Sequence, residues 1–217
     1  MMRVLTGIAL FILSSTAFAA TNPRAGEIEY SAALVYSFSD SLAGNEGSSI
    51  DFSSRTGFRV GLNYFFSSKL SAGFDATWIR PNFNAVLIPD DGSAPVTVSH
   101  RSSIFTGHFS GAYYLLENDF TPYIEGGLGW TFFDSNVSDS PPVTGCWWDP
   151  WWGYICSDFY STYSSTNFSY GADLGLRWNV ASDLAINLGY RWLEIEADDL
   201  RNKPTQESAF LEVAYRF

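Results

Sequence analysis

The 217-residue sequence is short of cations, of cysteine and of long apolar runs, and each shortage excludes something. Lysine and arginine number 12 against 23 acids, a formal net charge of −11. Phosphate binding needs clustered cations, so nucleic acid is excluded as a partner. Cysteine occurs only at Cys146 and Cys156, and histidine only at His100 and His108. Two thiolates and two distant imidazoles do not make a recognisable zinc set, and no metal or cofactor is expected. No apolar run reaches the roughly 20 residues that a membrane-crossing helix needs. The longest, residues 4–13, is about half that length, follows Arg3 and precedes Ala17 and Ala19 on either side of Phe18. This is the layout of a secretory signal peptide cut after Ala19. The expected organisation is therefore a signal peptide over residues 1–19 and one domain over residues 20–217. In an exported chain the two cysteines point to one disulfide formed in an oxidising compartment.

A sustained 3.6-residue apolar period is missing as well. What replaces it is strict alternation, the mark of strands with two unlike faces. It is cleanest over residues 168–180. Phe168, Tyr170, Ala172, Leu174, Leu176, Trp178 and Val180 fall on one side, with Ser169, Gly171, Asp173, Gly175, Arg177 and Asn179 on the other. Similar alternation marks residues 28–38, 58–64, 70–78, 105–115, 124–132, 184–192 and 209–217. Eight strands is an even number, as a closed up-and-down barrel requires. Short links near residues 67–68, 117–119 and 181–182 alternate with long ones near 40–51, 81–100, 134–164 and 195–206. Transmembrane barrels have this asymmetry, with the long loops outside the cell.

A soluble sandwich or lipocalin-like barrel would turn its apolar face inward. Two features favour the opposite. The polar face is rich in glycine and carries Glu29, Arg59, Asp75, Glu125, Asp173, Arg177, Arg191, Glu212 and Arg216 through the strand centres. An eight-stranded interior is just wide enough for side chains, so glycines make room and opposite charges pair there. Aromatics also gather at two levels of the apolar face. Trp78, Trp130, Phe132, Phe168, Tyr170, Tyr190 and Trp192 fall near the outer rim, and Tyr64, Tyr113, Trp178, Tyr215 and Phe217 near the inner one. Two aromatic girdles around an aliphatic band fit a bilayer. The expected fold class is thus an all-β, eight-stranded antiparallel up-and-down transmembrane barrel with four long extracellular loops.

The chain ends ESAFLEVAYRF, with Ala209, Leu211, Val213, Tyr215 and Phe217 at every second position. This ending resembles the terminal strand of bacterial outer-membrane barrels. The whole domain resembles the small eight-stranded group that includes the outer-membrane protein A barrel, outer-membrane protein X and the opacity adhesins. The resemblance implies a bacterial outer-membrane location and contact with outer-membrane lipids and lipopolysaccharide. It also implies that Tyr215 and Phe217 act as a signal to the outer-membrane assembly machinery. A monomer is expected.

Function within such a group lies in the loops. The third loop holds CWWDPWWGYIC, residues 146–156, with four of the eight tryptophans. A disulfide between Cys146 and Cys156 closes an eleven-residue ring, worth about 2.8 kcal/mol on a chain-entropy estimate. Asp149 and Pro150 signal a turn at its centre. Trp147, Trp148, Trp151, Trp152 and Tyr154 have three open fates. They pack on the barrel mouth as a lid, the preferred reading because buried aromatics are the default; they dip into the lipopolysaccharide boundary; or they form a patch for an external protein or glycan. The expected role is structural or surface-interacting and adhesin-like. The alternatives are a narrow small-solute channel and a lipid A-modifying enzyme. For the enzyme, His108 and Ser110 resemble the His-x-Ser pair of lipid A deacylases, with Glu125 as the orienting acid. All three fall on the inward face, away from lipid, and no catalytic activity is expected. The acid pairs Asp90–Asp91 and Asp198–Asp199, with Asp134 and Asp139, lack calcium-ligand spacing and read as solvated charge.

Overall fold

The computed structural model describes residues 24–43, 47–88, 94–139, 141–196 and 203–217. The expected signal peptide, residues 1–19, and the two acid pairs lie outside the described residues. Among those described, no helix is long and apolar enough to cross a membrane, and the crossing is made by strands.

Eight strands close into one antiparallel barrel: β1 (Ile28–Ser37), β4 (Arg55–Phe65), β5 (Leu70–Ile79), β8 (Ser103–Tyr114), β9 (Phe120–Ser138), β12 (Thr162–Asn179), β13 (Leu184–Ile195) and β14 (Thr205–Arg216). Each pairs with its neighbour in sequence, and β1 seals against β14 from Glu29 opposite Arg216 to Ser37 opposite Ser208. All eight alternating segments of the sequence lie in or overlap these strands. Parity runs as anticipated: Leu34, Leu62, Phe74, Phe109, Leu128, Leu174, Leu188 and Leu211 face outward, and the charged series is turned in. Outside a bilayer so much apolar surface would be an aggregation liability; inside one it is the solvent-matched face.

The two aromatic girdles are physical contacts. At the outer level Phe58 meets Trp78 edge-on at 5.3 Å, Trp130 meets Phe168 at 6.3 Å, and Tyr170 meets Trp192 at 6.2 Å. At the inner level Phe217 packs on Tyr30 (5.4 Å) and Tyr215 (4.8 Å), and Tyr64 on Phe66 (5.0 Å). Amphipathic rings at both interfaces fix the depth of the barrel in the membrane.

Two arrangements above the outer girdle depart from plain loops. The first and second long connections form a four-stranded sheet in the order β2 (Asp40–Ala43), β3 (Ser49–Phe52), β6 (Asn82–Leu87) and β7 (Val96–Arg101). In the third connection β9 and β12 stay paired up to Ser138 opposite Thr162. Eight residues beyond Trp130 carry that ladder roughly 26 Å outward at about 3.3 Å per residue. It ends in the hairpin β10 (Val143–Asp149) and β11 (Gly153–Phe159).

The inward face is also less uniformly polar than its charges suggest. Phe65, Tyr114 and Tyr123 stack in a tilted column at its periplasmic end, with neighbouring centroids 5.5 Å apart. Gly175 lies against this column, where a Cβ would strike the Tyr123 ring. Glycine there makes space rather than supplying an unusual backbone angle.

Candidate functional site

Three features above and within the barrel bear on function: the interior charges, the hydroxyl belt above them, and the tryptophan hairpin.

The interior charges form two separate groups. In the outer half, Arg59 donates to Asp173 (2.9 Å) and Glu212 (3.0 Å), while Arg191 donates to Asp173 and Asp75 (both 2.7 Å) and lies 3.8 Å from Glu125. Asn187 donates to the second Glu212 oxygen at 2.7 Å, and the Arg59 guanidinium lies 4.0 Å from the Phe210 ring centroid. Nearer the periplasm, Arg177 grips Glu29 with both terminal nitrogens (2.9 and 2.5 Å) and donates through Nε to Asn179 (3.0 Å). Such bidentate pairing offsets the several kcal/mol of desolvation per buried ion. The ninth residue of the series, Arg216, binds Glu27 (3.1 Å) and the Ser182 carbonyl (2.6 Å) instead of another member.

Sequence reasoning missed Glu27, and it missed Arg24. Arg24 is buried beneath the barrel, donates to the Leu116 carbonyl (3.0 Å) and lies 4.7 Å from the Tyr114 ring centroid. Neither sits in an alternating segment. A lone cation within three residues of an acid at a strand's start was the one available signal.

His108 is also inward and buried. Its Nε2 shares a hydrogen bond with Ser169 Oγ at 2.9 Å, and Thr131 Oγ1 donates to the same oxygen at 3.0 Å. Thr106 and Thr131 hydroxyls are 3.0 Å apart. The partner of His108 is thus Ser169, a residue from another strand, and not Ser110. Glu125 is turned to Arg191. His108, Thr106, Thr131 and Ser169 make a hydrogen-bonded belt along the inward face of the adjacent strands β8, β9 and β12.

In the hairpin, Cys146 is opposite Cys156 and the two are joined by a disulfide. Asp149 Oδ1 accepts from the backbone N–H groups of Trp151 (2.8 Å) and Trp152 (3.0 Å), an Asx turn that uses the signal expected at Asp149 and Pro150. Gly153 completes the reversal at φ 78°, a left-handed angle that glycine adopts at no steric cost.

The preferred reading of the tryptophans as a lid is incorrect. Trp151 is 85% exposed, Trp152 79%, Tyr154 72%, Trp148 67% and Trp147 42%. The cause is the continued β9–β12 ladder, which carries the hairpin away from the mouth. What leans over the mouth is the four-stranded sheet, with Phe52 edge-on to Phe133 of β9 at 6.2 Å. Among the described residues only Trp147 of these side chains finds a ring partner, Phe159 on its own hairpin at 5.7 Å. Lower in the same loop, Asp134 accepts from the Asn136 N–H (2.8 Å) and Asp139 from the Ser161 hydroxyl, a local turn contact and a contact across the end of the β9–β12 ladder.

A closed eight-stranded barrel with apolar outer walls, paired interior charges and two aromatic girdles defines a transmembrane β-barrel of the bacterial outer membrane. The chain belongs to the outer membrane protein beta-barrel domain family, whose model matches residues 6–217. No curated protein sequence matches it. Among solved structures it is similar to the outer membrane protein OprG from Pseudomonas aeruginosa, with a TM-score of 0.56 and 13% identity over 89% of this chain and 96% of that one. It is also similar to Ail, the attachment invasion locus protein of Yersinia pestis, in complex with the heparin analogue sucrose octasulfate (TM-score 0.51, 16% identity, 89% and 99% covered). Neisserial surface protein A gives a TM-score of 0.51 at 15% identity, covering 90% of this chain and 96% of that one. At these identities the likeness is one of fold.

Proposed function

We propose that this protein is a surface-interaction protein of the outer membrane, and that the disulfide-closed hairpin is its contact element for an uncharged protein or glycan surface outside the cell. The observation that carries this reading is the exposure of Trp148, Trp151, Trp152 and Tyr154 on a stapled hairpin well beyond the outer girdle. Large aromatics in water are costly unless a partner covers them, and Trp and Tyr dominate binding hot spots. Charge narrows the partner. Residues 143–163 contain Asp149 and Asp158 and no lysine or arginine. A polyanion such as the sucrose octasulfate bound by Ail therefore finds no counter-charge on this hairpin.

Conduction has less support, because the Arg59 and Arg191 ion pairs cross the lumen between β4 and β5 on one side and β12, β13 and β14 on the other. Catalysis has less support, because His108, Ser110 and Glu125 face inward. Export by a signal peptide at residues 1–19, assembly through Tyr215 and Phe217, and a monomeric barrel complete the proposal.

The test is binding of the protein in nanodiscs to arrayed neutral glycans and extracellular proteins, beside the Trp148→Ser, Trp151→Ser, Trp152→Ser triple variant. The expected result is retention by the wild type that survives 0.5 M salt, roughly a tenfold or greater loss in the variant, and no gain on sulfated glycans. Equal binding by the two proteins would refute the reading.

A further inference from the structure

Above the hydroxyl belt the barrel mouth encloses a cavity of about 330 Å³. Its walls come from two unconnected parts of the fold. Ile104, Phe133 and Ile195 project inward from the tops of β8, β9 and β13, while Leu42, Ile50 and Phe52 face them from β2 and β3 of the loop sheet. Small-molecule sites have this character, mostly apolar with a few convergent polar groups, and begin at about 300 Å³.

The exposed lining is mostly apolar, and hydroxyls of Ser37, Ser53, Ser165 and Thr205 sit among it with more directed polar groups. Asn167 and Gln206 bring amides from β12 and β14, and Thr131 brings a hydroxyl at the base. Asn167 donates to Ser165 (3.2 Å) and Gln206 to Ser37 (3.1 Å), so each amide carbonyl oxygen is directed by a bond its own nitrogen makes. Among the described residues Asp40 is the one charged side chain lining the cavity, and no lysine or arginine does so. An anionic ligand would enter apolar surroundings with no counter-ion and a carboxylate at the rim, an unfavourable transfer.

The floor is polar and hydrogen-bonded. Thr131 is tied to Thr106 and Ser169, and Ser169 to His108. Asp75 stands opposite His108 in register, and Asp75 is held by Arg191. A solute that enters from outside meets hydrogen-bonded hydroxyls and then paired ions.

We infer that this mouth cavity is a binding site for a small, uncharged, largely apolar molecule carrying one hydrogen-bonding group, captured from the exterior and held above the charged plug. The site is independent of the tryptophan hairpin, which does not line it.

Three isoleucines on the lining, and others such as Ile28 and Ile124 on the lipid face, make the test direct. The full-length protein in nanodiscs, labelled with ¹³C at isoleucine methyl groups, is titrated with cyclohexanol, cyclohexanecarboxylate or cyclohexylammonium. With cyclohexanol the Ile50, Ile104 and Ile195 methyls are expected to shift saturably, while the outward Ile28 and Ile124 report only non-saturating partition into lipid. Cyclohexanecarboxylate is expected to bind at least tenfold more weakly. Ile104→Trp, which fills the cavity, is expected to abolish saturation. Leu42→Trp, placed on the loop sheet and outside the barrel wall, does the same if Ile104→Trp fails to assemble. The Trp148→Ser, Trp151→Ser, Trp152→Ser variant is expected to leave the titration unchanged, which separates this inference from the hairpin proposal. Shifts at Ile50, Ile104 and Ile195 no more saturable than those at Ile28 and Ile124, or undiminished by filling, would overturn it, as would tighter binding of the anion.

Discussion

The barrel interior and the tryptophan hairpin handle burial in opposite ways. Inside, Arg177 and Glu29 are almost wholly buried, 0% and 1% exposed, yet are satisfied because each finds the other in bidentate geometry. On the hairpin, rings that would normally be buried stand out in water. The wall between them explains the first inversion, since the bilayer takes the apolar face and leaves the lumen to polar side chains. It does not explain the second. The hairpin lies beyond the girdles that mark the membrane, and on the proposed reading an external partner, not the lipid around the eight barrel strands, covers its aromatic surface. On the proposed reading, the contrast separates a region built for stability from one built for contact.

The contrast breaks most severely at Arg177. Arg177→Ala leaves Glu29 as an uncompensated buried charge, and a loss of about 3–5 kcal/mol is expected in urea unfolding from lipid vesicles. Replacing both Arg177 and Glu29 by leucine is expected to cost less than the single change, because no orphaned ion remains. Next comes the staple. Cys146→Ser with Cys156→Ser is expected to lower hairpin stability by about 2.8 kcal/mol, seen as faster amide exchange over residues 146–156. The midpoint of barrel unfolding is expected to stay where it was, because the hairpin lies outside the closed sheet. A smaller effect is expected at Gly175→Ala, whose added methyl displaces Tyr123 from its stack with Tyr114; overpacking of this kind costs about 1–3 kcal/mol.

The smallest is a pH effect at the fourth loop. Lys203 lies 3.2 Å from Glu194 and 3.3 Å from Glu196, and hydrogen bonds to them raise its amine above the ordinary range. A raised value means that the contact contributes fully below the ordinary lysine value of about 10.4 and is lost only as pH rises through the higher one. NMR titration of the Lys203 side chain is expected to return to the ordinary value in Glu194→Gln, Glu196→Gln.

How much of this was legible in the sequence follows from where alternation operates. Residues 168–180 alternate without exception because one face meets lipid and the other a crowded lumen, so strand, facing and girdle level could all be read. Ion-pair partners could not. Arg216 lies opposite Glu29 in the β1–β14 register but turns to Glu27, and side-chain reach across a narrow lumen carries no sequence period. The loop sheet did leave a trace, since Phe83 and Ala85 alternate with Asn82 and Asn84, and both are buried. A six-residue strand sited between longer ones was easily taken for loop. The lid reading failed for a different reason. Residues 131–138 and 162–167 are too polar to alternate visibly, yet backbone pairing extends the ladder and lifts the hairpin off the mouth.

The central claim, that the hairpin stands in water as a contact surface beyond the membrane, is tested most directly by fluorescence quenching. In protein retaining only Trp151 and Trp152, with the other six tryptophans changed to phenylalanine, the barrel is placed in vesicles containing brominated lipid and exposed to acrylamide. The account expects quenching by acrylamide close to that of free indole and none by brominated lipid. Shielding from acrylamide, or quenching by brominated lipid, would mean that these tryptophans are covered by the barrel or the bilayer, and would contradict it.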